Sequence, residues 1–68
     1  MGNLLILKAE RVKKAIKQAD MAKIVGCSIP AYNQKENGKR KFSQDEISVI
    51  AKTLDLSGDA IKEIFFTD

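Results

Sequence analysis

Four residues of this sequence, Ile29, Ala31, Asn33 and Gln34, have side chains suited to reading another molecule, and Lys39, Arg40 and Lys41 follow closely behind them. An Asn or Gln amide can bond bidentately to an adenine edge, and an Ile or Ala methyl can pack on the methyl of thymine. Three consecutive cations can neutralise phosphates and release their counterions. Gln18, Ser28 and Asn37 are polar residues at helix ends, where side chains commonly meet a phosphate backbone. These ten residues describe recognition of double-stranded DNA. Ile29, Ala31, Asn33 and Gln34 would read bases, while Gln18, Ser28, Asn37, Lys39, Arg40 and Lys41 would hold phosphates. Any one of them alone is ordinary solvated surface, so the reading depends on how the chain arranges them.

The arrangement is legible in the stretch from Lys17 to Lys41. Gln18 to Val25 contains helix formers throughout, with Met21, Ala22 and Val25 on one face. Gly26 follows, where a left-handed residue ends a helix. Ser28 offers an N-cap hydroxyl, and Pro30 sits in the first turn of the next helix, where a missing N–H costs nothing. That helix should run to about Glu36, because Asn37-Gly38 is a stop signal. Two helices joined by a sharp turn and trailed by a basic loop form the layout of a helix-turn-helix, at about residues 18–37. The apolar face of the second helix is thin. Tyr32 is its core residue, Cys27 fills a small slot at the turn, and Lys35 reads as a solubilising residue whose stem can cover apolar surface.

Around this unit the sequence supplies three more helices and no strand. The first is expected from about Leu5 to Ile16, after loose residues 1–3. Leu4, Leu7, Arg11 and Ala15 share its inner face, Val12 and Ile16 flank it, and Lys8, Lys13, Lys14 and Lys17 face water. A guanidinium on an inner face needs a partner, and Glu36 is the candidate. Phe42 should tuck inward at the end of the basic loop. Ser43 to Glu46 has the form of a capping box, opening a helix to about Leu54 with Ile47, Ile50, Ala51 and Leu54 inward and Val49 off that face. After Asp55-Leu56, Ser57 caps a last helix, with Asp59 in its first turn and Ile61, Ile64 and Phe65 on its inner side.

Composition bounds the rest. Sixty-eight residues make one domain, 1–68, with a small stability margin. A hydrophobic content of 44% is enough for a single core and argues against disorder. The net charge of +3, from 12 basic and 9 acidic residues, permits an anionic partner without demanding one. With no His and one Cys, a zinc finger, a disulfide scaffold and His-based catalysis are excluded within a single chain. There is also no pair of carboxylates in a plausible cleft and no phosphate-cradling glycine loop, and 68 residues leave little room for a pocket, so neither an enzyme nor a bound cofactor or metal is expected. The lone thiol suits a reducing interior, and the Leu4 to Leu7 run is too short to cross a membrane. The expected location is the cytoplasm.

With these residues in view, the chain resembles the lambda-repressor-like helix-turn-helix family, and in particular the repressor and Cro proteins of phages and integrated elements of Gram-positive bacteria. The matching positions are Arg11, Gln18, Ala22, Gly26, Ser28, Glu36-Asn37-Gly38 and Lys39-Arg40-Lys41. Ser57 and Asp59 also suit the start of the family's last helix. The resemblance covers roughly Leu7 to Phe65. It implies an all-α fold of five helices, a salt bridge between Arg11 and Glu36, and a transcriptional regulator that binds an operator through its third helix in the major groove. Two features depart from the family pattern. Ile29 and Pro30 stand where polar residues are usual, and Lys35 stands where an apolar one is.

Val49, Ile64, Phe65 and Phe66, with Leu5 or Ile6, are surplus apolar residues. They either complete a very small core or form a self-complementary patch for a homodimer on an inverted-repeat operator, and the dimer is favoured. The rival from another functional class is an antitoxin or other protein-binding module of the same fold, using these C-terminal apolar residues on a protein partner.

Overall fold

The computed structural model describes residues 3–66. Its five helices are α1 (Leu4–Lys13), α2 (Gln18–Val25), α3 (Ile29–Glu36), α4 (Gln44–Leu54) and α5 (Gly58–Phe65). No strand occurs among the described residues. Four of the five starts are capped by a side chain, and at α2 the Lys17 N–H is met instead by Asp20 Oδ2 at 3.2 Å. The Ser28, Ser43 and Ser57 hydroxyls accept from the backbone N–H groups of Ala31, Glu46 and Ala60 at 3.1–3.2 Å. Glu46 returns the bond by accepting from the Ser43 N–H at 2.8 Å, which completes the expected box. Asn3 is not loose: its Oδ1 caps α1 by accepting from the Leu5 N–H at 3.2 Å, and its own N–H reaches the Glu63 carbonyl of α5 at 3.1 Å. Met1 and Gly2, expected to be loose, lie outside the described residues.

Four of the helices stop in the same way, with a left-handed residue just past the end. The next N–H then bonds a carbonyl five residues back: Ile16 to Arg11, Cys27 to Ala22, Lys39 to Gln34, and Leu56 to Ala51. At Gly26 and Gly38, both with φ +83°, glycine makes this easy. The other two left-handed positions are Ala15 (φ +57°) and Asp55 (φ +53°). The left-handed Ala15 ends α1 at Lys13 rather than near Ile16 and is exposed instead of facing inward, although an alanine carries no stop signal. The two residue types give a reciprocal prediction. Gly26→Ala should destabilise by about 1–2 kcal/mol from backbone strain alone, since nothing lies within 4 Å of the added Cβ. Ala15→Gly should be neutral or stabilising. Denaturant midpoints of the two variants check the pair, and a Gly26→Ala midpoint equal to the parent's would refute it.

Every helix contributes to one core: Leu7 from α1, Met21 and Ala22 from α2, Tyr32 from α3, Ile50 and Leu54 from α4, and Ile64 from α5. α3 supplies a single fully buried apolar residue, so its position depends on α1 and α2, which it packs against. Phe42 turns inward after the basic loop. Its ring meets Tyr32 edge-on at 6.0 Å and Phe65 at 5.6 Å, an arrangement favoured by the ring quadrupoles. The surplus apolar set divides. Ile64 is fully buried, and Ile6 and Phe65 pack against the core. Val49 (37%), Phe66 (59%) and Leu5 (77%) stay exposed.

Candidate nucleic-acid interface

The geometry of the site begins at the buried end of α3. Glu36 and Arg11 are both almost wholly enclosed. Arg11 donates from Nε to Glu36 Oε2 at 3.0 Å and from Nη2 to Oε1 at 3.1 Å, a bidentate fork. Its Nη1 donates to the Ile16 carbonyl at 2.8 Å, so one guanidinium ties the α1–α2 turn to the end of α3. Burial acts to raise the Glu36 carboxyl. The hydrogen bonds from Arg11 and Gln18, the charge of Arg11 and the nearby Tyr32 hydroxyl outweigh it, leaving the group below the ordinary carboxylate range. The Tyr32 hydroxyl is buried and meets no partner at good hydrogen-bonding geometry. Burial, and then the neighbouring Glu36 carboxylate, push its ionisation far above the ordinary phenol range.

Gln18, expected to meet phosphate, is half-buried and engaged within the chain. Its Nε2 donates to Glu36 Oε1 at 3.2 Å, and its Oε1 accepts from Asn33 Nδ2 at 3.1 Å. Asn33 Oδ1 in turn accepts from Asn37 Nδ2 at 3.1 Å. A continuous polar chain therefore runs from the interior to the outer face of α3. The i, i+4 spacing of Asn33 and Asn37 puts them on one helix face. The link from Asn33 to Gln18 spans two helices and has no counterpart in local sequence.

The remaining expected contacts are placed unevenly. Ile29 (51% exposed) and Asn33 stand out from α3. Ala31 and Gln34, expected on the exposed side, are only half-exposed. At Gln34 the basic loop folds back on the helix, and the backbone N–H groups of Lys39 and Arg40 bond the Gln34 carbonyl at 2.8 and 3.4 Å. That return holds Lys39, Arg40 and Lys41 against the end of α3 with all three exposed. Ser28 and Asn37 are exposed at the two ends of the helix. The Ser28 oxygen serves as a cap acceptor, and a hydroxyl can donate at the same time.

Lys35 differs from expectation. It is not a solvated residue: its Nζ pairs with Glu46 Oε2, and both side chains are 15% exposed. Glu46 is thus shared between the α4 capping box and α3, which anchors the outer helix from a second side. Burial acts to raise the Glu46 carboxyl, but the Lys35 hydrogen bond and charge and the bonds to Ser43 bring it below the ordinary range. Eleven residues separate the two partners, and no sequence pattern marks the pair.

A short polar helix, braced from beneath by ion pairs and joined to its predecessor through a glycine turn, defines the helix-turn-helix class. The helix-turn-helix family model matches residues 7–61. The chain belongs to the lambda-repressor-like helix-turn-helix family and is a DNA-binding protein of the transcription-regulator class. No curated protein and no solved structure gives a significant match. Among the described residues, no helix is long and apolar enough to cross a membrane.

Proposed function

We propose that this protein is a sequence-specific regulator of the repressor or Cro type, acting in the cytoplasm or nucleoid by occupying an operator and excluding polymerase. α3 enters the major groove. Ile29, Ala31, Asn33 and Gln34 read base edges and thymine methyls, while Gln18, Ser28, Asn37, Lys39, Arg40 and Lys41 hold the phosphates. One observation carries the reading: an outward face of α3, with Ile29 and Asn33 prominent, is fixed rigidly from behind and bordered by three exposed consecutive cations. Among the described residues there is one such face, and operators commonly mirror the two-fold symmetry of their protein. We therefore propose a homodimer on an inverted repeat. Of the surplus apolar residues, Leu5, Val49 and Phe66 stay exposed and are the candidates for its interface.

The reading is tested by selecting bound duplexes from a randomised pool, then footprinting the selected site at several salt concentrations. The expected result is protection of a defined site, with affinity falling steeply as salt rises. Gln34→Ala should weaken the selected site more than random DNA, and an equal loss on both would remove Gln34 from readout. The same exposed Phe66 supports the alternative of an antitoxin-like, protein-binding module. Tight capture of a protein partner with no protected DNA site would favour that alternative and overturn the regulator reading.

A further inference from the structure

The polar chain behind α3 has a direction, and one group sets it. An ionised carboxylate can only accept, so Glu36 Oε1 must face the Gln18 amide nitrogen (3.2 Å) rather than its oxygen. Gln18 Oε1 is thereby turned toward Asn33 and can only be met by a donor, which is Asn33 Nδ2 at 3.1 Å. Asn33 Oδ1 is then the acceptor that Asn37 Nδ2 fills at 3.1 Å. Reversing any one amide would set oxygen against oxygen or nitrogen against nitrogen along the row. Arg11 keeps Glu36 charged through its two-pronged bond, so the orientation is imposed by an ion pair in the interior.

We infer that Gln18 is a positioning residue for base recognition: it transmits the orientation set by Arg11–Glu36 to Asn33, which presents a fixed donor and acceptor to adenine. This rests on the proposal that α3 reads the major groove. The accounting of valences supports it. An amide has two N–H donors and two oxygen lone pairs. Gln18 takes one Asn33 donor and Asn37 supplies one Asn33 acceptor bond. One N–H and one lone pair remain on an exposed side chain, and they match adenine N7 and N6–H. An unrestrained Asn could turn its amide over and lose that preference. Ile29 has no such pair of groups and Gln34 is only half-exposed, so Asn33 is the more exposed of the two amides on α3.

The test compares Gln18→Met with the parent, since methionine keeps the length of the side chain and removes its polar atoms. Each protein selects sites from a randomised duplex pool, and affinities are then measured for the selected site, its single-base variants and random DNA. In the parent, Asn33→Ala should identify the operator position that Asn33 reads, by abolishing a preference for adenine there. Gln18→Met should cut that adenine preference about tenfold while leaving preferences at other positions in place. Its affinity for random DNA should fall no more than expected for one lost phosphate contact. A uniform loss at all positions would make Gln18 a phosphate or folding residue only and overturn the inference. An adenine preference undiminished in Gln18→Met would do the same. Failure of the parent to select any site would instead overturn the regulator reading, so the two failures are distinguishable.

Discussion

Arg11→Met should destabilise the protein by about 3–5 kcal/mol at neutral pH, the usual consequence of removing one partner from a buried pair. For a domain of this size that loss approaches the whole stability. The cause is not the missing attraction itself but the Glu36 carboxylate left charged inside the fold, since the two side chains are only 8% and 2% exposed. The pH dependence gives the effect a signature. In the parent, the folded Glu36 value lies below its ordinary 4.5. Its contribution is therefore present above that pH and lost as the pH falls through the folded value. In the variant, burial acts with the guanidinium gone, and the folded value moves above 4.5. The sign reverses: Glu36 destabilises at neutral pH, and the penalty is relieved on acidification as the carboxyl takes up a proton. Urea unfolding at pH 7 and pH 5 should thus show the gap between parent and variant narrowing at the lower pH. Replacing both residues with methionine should recover much of the loss. A single variant within about 1 kcal/mol of the parent at both pH values would contradict the ion pair's role.

Lys39→Ala with Lys41→Ala should produce the largest change in DNA binding with little change in folding. Both cations are exposed on a loop held by backbone bonds to Gln34, so their side chains can be removed without disturbing the core. If each neutralises one phosphate, the slope of log affinity against log salt should flatten by about 1.8 per protomer. Affinity should fall by about the same factor on the selected operator and on random duplex, because phosphate contacts carry no sequence information. Titration of both duplexes over a range of salt concentrations measures this. An unchanged slope would place the loop outside the interface, and a loss confined to the operator would make the loop a base reader instead.

These two experiments address residues that sequence and structure illuminate differently. Gly26, Ser28, Pro30 and the Ser43–Glu46 box act through their own backbone neighbours, so their spacing alone marked where α2, α3 and α4 begin and end. Ala15 shows the limit of that approach. Its left-handed conformation is imposed by the α1–α2 turn that Arg11 holds, and nothing about an alanine advertises it. Lys35 shows a related limit. A lysine on a polar helix reads as solvated until tertiary structure brings Glu46 beside it.

The sequence alone determined what depends on local geometry and side-chain type: five helices, a glycine turn between the second and third, a cationic loop, and an inner-facing arginine that required a carboxylate. Tertiary structure decided what depends on groups far apart in the chain. It buried Ile64 and left Phe66 exposed, drew Lys35 into an ion pair, and joined Gln18, Asn33 and Asn37 into one directed row. The physical reason is the range of the forces involved. Capping and helix periodicity operate within a turn or two of the backbone. The orientation of an amide is settled by whichever donors and acceptors the packed helices bring within about 3 Å.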